Sequence, residues 1–598
     1  MKFRPTALVA ALGFAMAMPA AAQTFSNTIY FGDSLTDSGT FIPALIKLAG
    51  PSAANVGKFT TNPYLVWSEQ LALRYGVQLA PSNQGGTNYA VGGARAGEAA
   101  TSVFGAIPSV KSQVSTYLSS TGGKADPNAL YTVWAGGNDL LAVLSGAPAQ
   151  ATIGSAVTAQ VQAVGALAAA GAQYILVPTL PDLGLTPTAR ALGTAGMTAA
   201  TGGSTAYNTA LYGGLTSAGI SYIPVDTFNL LREIVANPSV YGITNTTATA
   251  CGAVSSVQCS PANYVASGVS ETYLFADGVH PTGKLHTIMA DLAYSMIEGP
   301  RQIALAPVAA VNAGVSRADR VFAAAELLPN NGRRLWMDVH GNYQNMDSSD
   351  VYKSNGLGVM AGLNWGNENL SFGPYVGFDK RANNMGEQAG SFDQTDVTVG
   401  GLLRYSRGPL WVSAQASYSK LDTDFERNVK LGPAVRVHTA SAGGNTVGGG
   451  LQMGAFFNSN GMKHGPFVGL VSQKVSIDSF TESDATSSTA LSIADQDVDS
   501  LKGRIGWQAQ LGQHGPLRPY ASVAWNREFK DPAARLTATS LSTKTTYAVP
   551  GYDFDRDYGT INLGARTHVL GHDADLGISA NLSERHTQQA TFYATVSF

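Results

Sequence analysis

Four short segments in the first half of the chain carry side chains that could catalyse acyl transfer. The first, Phe31–Leu35 (FGDSL), places Ser34 directly after a short apolar run. A serine hydroxyl attacks a carbonyl when a base takes its proton, and backbone N–H groups at a helix N-terminus favour the anion that forms. We therefore expect a nucleophile that follows a strand and begins a helix. Helix capping by Asp33 and Ser34 is the alternative interpretation of this segment alone.

The base that a serine nucleophile needs could come from the segment Phe275–Pro281. A histidine acts as a general base when a carboxylate holds its other ring nitrogen in the correct tautomer. Asp277 lies three residues before His280 on the same predicted loop, and a proline follows and stiffens the turn. A lone histidine would be weak evidence, but the pattern Asp-x-x-His-Pro is more specific.

Two further segments could supply donors for a developing oxyanion. The segment Gly86–Arg95 contains the pair Gly92 and Gly93, and paired glycines let a backbone N–H approach a ligand closely. The segment Gly136–Asp139 contains Asn138, whose side-chain amide could donate to the same oxyanion. A tight turn and an Asx turn are the alternative interpretations of these two segments.

These segments follow strand-like runs, which indicates how a fold would bring them together. Short apolar strands are predicted at Thr28–Phe31, Ala129–Ala135 and Tyr174–Pro178, and an Ala-rich helix at Ser155–Ala170. Alternating strands and helices predict an α/β fold with a parallel sheet flanked by helices. Active sites of such folds lie in loops beyond the carboxyl ends of the strands, where the distinctive residues of this chain are found.

Together the four segments resemble the GDSL lipase/esterase family, also called SGNH hydrolases. The family's sequence blocks correspond to Gly32–Leu35, Gly86–Ala94, Gly136–Asp139 and Asp277–Pro281. All four occur in the family's order within the first 300 residues, and this joint match is far more specific than any single block. The resemblance implies an α/β SGNH-hydrolase fold that hydrolyses carboxylic esters.

The resemblance also implies a role for each catalytic side chain. Ser34 would attack the acyl carbon and form an acyl-enzyme. His280 would accept the serine proton and later pass it to the leaving alcohol, and Asp277 would orient His280. This chemistry requires no metal or other cofactor, and no cluster of His, Cys and Asp in the sequence has the spacing of a metal site.

The oxyanion hole that the resemblance implies has three donors. These would be the backbone N–H of Ser34, the backbone N–H of a glycine and the side-chain amide of Asn138. Alignment of the glycine block favours Gly93 over Gly92 for the second donor. Each such donor is commonly worth about 10²–10³ in rate.

The second half of the chain has a different periodicity. From Leu335 onward apolar and polar residues alternate, for example in Leu370–Asp379, Leu410–Ser419 and Ile561–Val569. About twelve such segments of roughly ten residues are present, the length that a tilted strand needs to cross a bilayer. The chain ends in an alternating run with Phe598 as its last residue. A soluble β-sandwich is the alternative, but the low share of charged residues, 13%, favours a membrane barrel.

The plan of this half is similar to the translocator of autotransporters (type V secretion). In those proteins a helix threads a twelve-stranded transmembrane barrel and joins it to an exported passenger. Here the segment Gln302–Leu328 predicts one helix of mixed polarity that precedes the strands. The resemblance implies a passenger over residues 24–300, a linker helix in the barrel lumen over 301–333, and an antiparallel transmembrane β-barrel over 334–598.

The N-terminus predicts export. Lys2 and Arg4 precede an apolar stretch over residues 7–18 and a small-residue cleavage site near Ala22, so residues 1–22 are predicted to be a signal peptide. No other run of about 18 consecutive apolar residues predicts a transmembrane helix. Cys251 and Cys259 could form a small disulfide in an oxidising compartment, which their spacing alone does not decide.

The sequence therefore predicts a cell-surface carboxylic ester hydrolase in the outer membrane of a Gram-negative bacterium. Its partners would be a small-molecule or lipid ester, outer-membrane lipids and the barrel-assembly machinery, and the protein would be a monomer. A net charge of −3 provides no basic surface for nucleic acid. The linker has no obvious cleavage site, so we expect the passenger to stay attached.

Other functions, of three kinds, remain open at this point. Removal of acetyl groups from glycans, or lysophospholipase action, would use the same residues. A non-catalytic surface adhesin is the second alternative, although the chain has no long β-helical repeat and lacks none of the catalytic residues. A pore is the third, although the Ala-rich linker would block its lumen.

Overall fold

The computed structural model of the chain describes residues 24–327, 331–346, 351–512, 516–530, 535–552, 555–583 and 587–598. The signal peptide predicted for residues 1–22 lies outside the described residues. The described residues form an α/β domain followed by a closed antiparallel barrel. Both fold classes expected from the sequence are thus confirmed.

The α/β domain consists of short strands and mostly longer helices. The strands are β1 (Thr28–Phe31), β2 (Ala100–Ser102), β3 (Gly105–Ile107), β4 (Leu130–Val133), β5 (Tyr174–Pro178), β6 (Ile223–Val225), β7 (Asn245–Thr249) and β8 (Tyr273–Phe275). The helices are α1 (Ile42–Ala49), α2 (Trp67–Arg74), α3 (Val110–Ser120), α4 (Gly137–Leu144), α5 (Ala149–Ala169), α6 (Pro187–Ala191), α7 (Gly193–Ser217), α8 (Thr227–Ala236), α9 (Val269–Thr272) and α10 (Gly283–Ile303). Strands β1 and β5 have the predicted bounds, and β4 lies inside the predicted run.

A parallel four-stranded sheet in the order β1-β4-β5-β6 forms the centre of this domain. Every residue of these strands is buried, which explains why the strands are mainly apolar instead of alternating. The segment 87–89 runs beside β1 and exchanges backbone hydrogen bonds with Tyr30, at 3.1 and 2.8 Å. The ends of β1, this segment and β4 therefore meet at one edge of the sheet, just before Ser34, Gly93 and Asn138 along the chain.

Helix α5 begins at Ala149, earlier than the predicted Ser155. Among the described residues it is also the one helix long and apolar enough to cross a membrane by length and composition. It packs against α3, α4 and α7 and buries side chains such as Val164 and Leu167. Scattered Thr and Gln residues interrupt its apolar run, which is why the sequence did not mark it as a candidate.

The second half of the chain forms a closed antiparallel barrel. Its strands are β9 (Asn331–Met346), β10 (Tyr352–Asn367), β11 (Leu370–Met385), β12 (Gly390–Arg407), β13 (Leu410–Leu431), β14 (Ala434–Ala455), β15 (Phe457–Ser459), β16 (Met462–Ile477), β17 (Phe480–Thr481), β18 (Leu491–Ile493), β19 (Gln496–Leu511), β20 (Leu517–Glu528), β21 (Leu536–Ser540), β22 (Thr545–Val549), β23 (Asp557–Val569), β24 (His572–Ser583) and β25 (Thr587–Ser597). The wall contains twelve long strands: β9 to β14, β16, β19, β20 and β23 to β25. Pairing of β25 with β9 and of β14 with β16 closes it, as the sequence predicted.

Side chains alternate between the two faces of the barrel wall. Outward residues such as Val376, Val397 and Val447 are more than half exposed, whereas inward residues such as Asp379 and Gln394 are buried. An apolar outer face with a polar interior is the pattern of a barrel surrounded by lipid, because lipid and not water then covers the exposed apolar side chains. The barrel is thus built to span a membrane.

Several strands are longer than the predicted ten or so residues. Strands β13 and β14 have 22 residues each, and their hairpin reaches the α/β domain, where Gly432 N–H donates to Asp291 on α10 at 2.5 Å. A four-stranded sheet of β17, β18, β21 and β22 lies at the same end, and Tyr547 on β22 donates to the Met296 carbonyl at 2.8 Å. We call this hairpin and this sheet the platform, because together they support the α/β domain.

The linker helix differs in its bounds from the one predicted at Gln302–Leu328. Helix α10 continues to Ile303, and a new helix, α11 (Leu305–Glu326), follows. Pro307 has no N–H to donate to the Ile303 carbonyl, so a continuous helix would lose a hydrogen bond at this point. The break lies just before this proline, whereas Pro300 lies inside α10 without ending it, and the boundary expected at residue 300 falls inside α10. Leu328 lies outside the described residues.

Helix α11 lies in the barrel lumen and is held there by ion pairs. It contacts strands on several sides of the wall, including β9, β12, β13, β14, β16 and β19. Arg317 lies 3.2 Å from Asp379 and 3.1 Å from Asp396, and Arg320 lies 3.0 Å from Asp338. All five side chains are buried, and the three carboxylates also pair with His340 or Arg381, so the charges in the lumen form one network.

The platform holds the α/β domain through a cluster around Glu233 on α8. The Glu233 carboxylate accepts a hydrogen bond from Arg436 on β14 at 2.6 Å. It also accepts the backbone N–H and the hydroxyl of Ser488, at 2.8 and 2.7 Å. Charge-assisted bonds of this kind are among the stronger ones in proteins, so this carboxylate ties three separate segments together.

We expect Glu233→Gln to weaken this attachment. The substitution removes the charge while keeping the shape, which should cost about 1–3 kcal/mol and lower the unfolding midpoint of the α/β domain by roughly 2–10 °C. The helical circular-dichroism signal of the purified full-length protein reports this midpoint, because the helices lie mainly in that domain. The control is Glu271→Gln, an exposed carboxylate 3.7 Å from Lys284. Equal midpoints for the two variants would contradict the attachment.

Candidate active site

Ser34 lies in a tight turn immediately after β1. The Asp33 carbonyl oxygen accepts the N–H groups of Thr36 and Asp37 at 3.1 and 3.0 Å, which closes a single helical turn. The turn does not continue as the predicted helix. Instead, the Asp37 carboxylate accepts the backbone N–H groups of Gly39 and Thr40, at 2.8 and 2.7 Å. Ser34 is therefore positioned by one turn and not by a full helix.

Side chains from two neighbouring elements fix this turn. Gln113 on α3 accepts the Gly32 N–H and donates to the Gly32 carbonyl, both at 2.9 Å. From the glycine block, Asn88 donates to the Thr36 carbonyl at 2.7 Å. Gln113 and Asn88 are buried, so losing one of them would leave backbone groups unpaired away from water.

His280 lies between the serine and a carboxylate. Its Nε2 is 2.9 Å from Ser34 Oγ, and its Nδ1 is 2.8 and 2.9 Å from the two Asp277 oxygens. Asp277 also accepts the backbone N–H groups of Val279 and His280, at 3.1 and 2.9 Å. Burial alone would raise the pKa of Asp277, but the charge of His280 and hydrogen bonds from His280 and Ser256 hold it well below its usual range. The low pKa favours the ionised form of Asp277, which therefore lies as a carboxylate beside the His280 imidazole.

A disulfide-closed loop contacts the far side of Asp277. Cys251 and Cys259 form a disulfide, and the loop between them donates the Ser256 N–H to Asp277 Oδ2 at 2.8 Å. Both cysteines are buried in a cluster with Ala276. The spacing in the sequence left this pairing open, whereas the fold places both cysteines next to the strand that leads to Asp277.

The two glycines of the second block differ in their backbone bonds. The Gly92 N–H donates to Asp37 Oδ2 at 2.9 Å. Within the described part of the chain, no acceptor is bonded to the Gly93 N–H. Gly93 has φ +83°, in the left-handed region that favours glycine. Gly93 is therefore the glycine of this pair whose N–H is left for a ligand.

Asn138 lies beside this glycine loop at the start of α4. Gly136 precedes it with φ +105°, and a Cβ there would lie 2.3 Å from the Tyr207 ring, so only glycine fits. The Asn138 Nδ2 donates to the Ala94 carbonyl at 3.0 Å. A side-chain amide has two N–H donors, so one such bond leaves the other N–H for an oxyanion.

An apolar cavity of about 40 Å³ lies near the site, but neither Ser34 nor His280 is among its lining residues. Its walls include Leu35, which follows the serine, and Val279 and Pro281, which flank the histidine. The other walls come mainly from α8, α10 and the loop after β5. A larger cavity, of about 150 Å³, lies in the barrel lumen and is lined by α11 and barrel strands. Cavity size alone therefore does not locate the site.

Asp33, next to Ser34, is a buried carboxyl that holds its proton more tightly than an exposed carboxyl does. Burial raises the pKa of Asp33 to about 6, and this effect exceeds the opposing effects of the Leu35 N–H and of the charge of His280. The Leu35 N–H lies 3.0 Å from Asp33 Oδ1. An unfolded chain would have a carboxyl pKa of about 3.9. The folded protein therefore binds this proton more tightly than the unfolded chain does.

The fold brings the residues that the sequence singled out to one place. Ser34, His280 and Asp277 are joined by hydrogen bonds, and the glycine block and Asn138 lie beside them. Gln113 and Ser256 hold the site through tertiary contacts, and no local pattern in the sequence marks them. The same holds for Phe59, whose ring centroid lies 5.0 Å from that of the His280 ring.

We expect Asp33→Asn to change how stability depends on pH. Between about pH 4 and 6 the raised pKa makes the folded state bind more protons than the unfolded state, so this group's contribution to stability falls as the pH rises. The unfolding midpoint of Asp33→Asn relative to the natural protein should therefore increase from pH 4.5 to 7. Asp126→Asn, an exposed carboxylate, controls for the lost charge. If the unfolding midpoints of Asp33→Asn and the natural protein differed by the same amount at pH 4.5 and at pH 7, the raised pKa of Asp33 would be contradicted.

Comparison with protein families agrees with both halves of the fold. Residues 29–293 match the model of the GDSL-like lipase/acylhydrolases. Residues 335–581 match the model of the autotransporter beta-domain. The first match contains every candidate catalytic residue, and the second covers most of the barrel wall.

Similar proteins cover nearly the full length of the chain. Lipase 1 of Photorhabdus luminescens is 25% identical, over 96% of this chain and 97% of that protein. Esterase EstA of Pseudomonas aeruginosa is 27% identical, over 96% of both chains. Among solved structures, the translocator domain of the autotransporter NalP from Neisseria meningitidis covers 48% of this chain and 97% of its own, at 15% identity and a TM-score of 0.40.

Three findings together identify the class of protein: the closed barrel, the two family matches, and the hydrogen-bonded cluster of Ser34, His280 and Asp277. The α/β domain and the barrel each correspond to one family, in the same order along the chain. The barrel places the protein in the outer membrane, with the α/β passenger at the cell surface. The chain is therefore an ester-hydrolysing enzyme that consists of a GDSL-like lipase/acylhydrolase domain and an autotransporter β-domain.

Proposed function

We propose that Ser34, His280 and Asp277 form a catalytic triad that hydrolyses carboxylic esters through an acyl-enzyme. The observation that carries this proposal is the chain of contacts from Ser34 Oγ to His280 Nε2, at 2.9 Å, and from His280 Nδ1 to Asp277, at 2.8 Å. A hydroxyl, an imidazole and a carboxylate in this order are the arrangement that activates a serine. Relatives named lipase 1 and esterase EstA support the same activity.

In the first half of the reaction, Ser34 Oγ attacks the acyl carbon of the ester. His280 Nε2 accepts the hydroxyl proton as the new carbon–oxygen bond forms, and Asp277 stabilises the resulting imidazolium. The bond from the acyl carbon to the alcohol oxygen then breaks, and the imidazolium donates its proton to that oxygen. The alcohol leaves, and the acyl group remains on the serine as an ester.

In the second half, a water molecule replaces the alcohol. The water oxygen attacks the acyl carbon while His280 accepts a proton from the water. The bond from the acyl carbon to Ser34 Oγ then breaks, and the imidazolium returns a proton to Oγ. The carboxylic acid leaves, and the triad is restored. Because the low pKa of Asp277 keeps it ionised, it can stabilise the imidazolium in both halves of the reaction.

The oxyanion of each tetrahedral intermediate would be bound by three donors. These are the backbone N–H of Ser34, the backbone N–H of Gly93 and the free amide N–H of Asn138. The bond from Gly92 to Asp37 supports the choice of Gly93, because it occupies the neighbouring N–H. The donors lie on elements that the buried sheet edge holds together, so they need little reorganisation as the charge develops.

We further propose that the enzyme acts while attached to its barrel. The platform contacts at Glu233 support a passenger that stays fixed on the barrel.

The nucleophile is tested on intact cells with short- and medium-chain p-nitrophenyl esters. Ser34→Ala removes the attacking oxygen, so hydrolysis should fall to the background of cells without the protein, about 10³-fold or more below the natural protein. Ser119→Ala, an exposed serine on α3, is the matched control at equal surface display. Equal activity of Ser34→Ala and the control would rule out Ser34 as the nucleophile.

The oxyanion hole is tested with Asn138→Ala. Loss of one donor should lower kcat by about 10²–10³ with a much smaller change in KM, because the donor acts mainly on the transition state. Asn128→Ala, an exposed asparagine before β4, is the control. Since Asn138 also bonds the Ala94 carbonyl, the unfolding midpoint is measured in parallel. An unchanged kcat would exclude Asn138 from the oxyanion hole.

A further inference from the structure

The disulfide-closed loop between Cys251 and Cys259 contacts the site on two sides. On one side the Ser256 N–H donates to Asp277 Oδ2 at 2.8 Å. On the other side, the same loop binds a second segment, residues 57–62, which carries Phe59. The loop is thus bonded both to the carboxylate of the proposed triad and to the segment that supports the imidazole.

The second contact is made by two backbone carbonyls of the loop. The Ser256 carbonyl accepts a hydrogen bond from Asn62 Nδ2, and the Val257 carbonyl accepts the Gly57 N–H, both at 2.8 Å. Ser256, Asn62 and Gly57 are buried, so these bonds are shielded from water. They fix both ends of the segment that carries Phe59.

Phe59 lies where it can restrain two parts of the site. Its ring centroid is 5.0 Å from the His280 ring centroid, with the planes at 39°. Its ring also fills the space beside Gly92, because a Cβ on Gly92 would lie 2.2 Å from it. The imidazole is therefore enclosed between Asp277 and Phe59, and the disulfide loop binds the residues that position both.

The disulfide anchors this loop at the strand that leads to Asp277. The Cys251 N–H donates to the Ala276 carbonyl at 2.9 Å, and the two cysteines and Ala276 form one buried cluster. The bridge spans a sequence separation of 8 residues, so Ser256 and Val257 lie within a short closed ring. Opening the ring would free these two residues to move away from Asp277 and from the Phe59 segment.

We propose that the Cys251–Cys259 disulfide loop and Phe59 are positioning elements for catalysis, which hold Asp277 and His280 in register with Ser34. This inference rests on the proposed triad. It assigns to the disulfide a role in the rate of the chemical step as well as in stability. A displacement of reacting groups by about 1 Å can cost roughly 100-fold in rate, so small movements of this loop matter.

The test uses the full-length protein and the double substitution Cys251→Ala/Cys259→Ala. We measure kcat and KM with a p-nitrophenyl ester well below the unfolding midpoints, and count active sites by titration with a fluorophosphonate. Per titrated site, kcat should fall about tenfold or more while KM changes by less than about twofold. Ser255→Ala, an exposed serine in the same loop, is the matched control and should keep the natural kcat.

A bridge that acts only on stability would lower the unfolding midpoint and leave kcat per titrated site unchanged, and this result would overturn the proposal. Phe59→Leu keeps the disulfide and an apolar side chain but removes the ring, so it decides the question even where the double variant fails to fold. Its kcat should fall with KM retained, and an unchanged kcat would overturn the proposal.

Coupling between the two elements is tested with the triple variant. If the loop acts partly through Phe59, the loss in the triple variant should be smaller than the product of the two separate losses. Fully multiplicative losses would overturn the shared role. Natural protein that shows no Ser34-dependent hydrolysis would overturn the triad itself, whereas active natural protein with equally active variants would overturn only this inference.

Discussion

The 2.9 Å contact between Ser34 Oγ and His280 Nε2 joins two loops that lie 246 residues apart in the chain. Such a contact requires that both loops be fixed independently, because a flexible loop would spend little time at hydrogen-bonding distance. Strand β1 of the buried sheet and Gln113 on α3 fix the serine side. Strand β8, the disulfide loop and the start of α10 fix the histidine side. Most of the passenger's architecture follows from the need to hold these two ends together.

A second constraint comes from the membrane. The barrel wall must present apolar side chains to lipid, so its polar residues face inward, where α11 supplies matching charges such as Arg317. Strands that only had to cross the bilayer could be about half as long as β13 and β14. The added length forms the platform, and Glu233 and Arg436 join it to the passenger. Export and catalysis thus share one chain, in which the translocator also supports the enzyme.

The sequence predicts the parts of the structure that depend on local patterns. Strands β1 and β5 have the predicted bounds because a buried strand is marked by its apolar run, and alternation marks the barrel. The candidate catalytic residues are found because Ser34 and His280 lie in short motifs. Contacts that depend on tertiary packing are not visible in this way: nothing local connects Ser256 with Asp277, or Glu233 with Arg436.

We propose that Ser34 is the nucleophile of an intact, barrel-bound enzyme whose α/β domain lies outside the cell. The most direct measurement is to treat whole cells with a membrane-impermeant fluorophosphonate, isolate the full-length chain and locate the adduct by mass spectrometry. The serine oxygen would displace fluoride from phosphorus, and we predict one adduct per chain, on Ser34, while the chain is still joined to its barrel. Labelling of Ser34 only after the cells are broken, or labelling at another serine, would contradict this account.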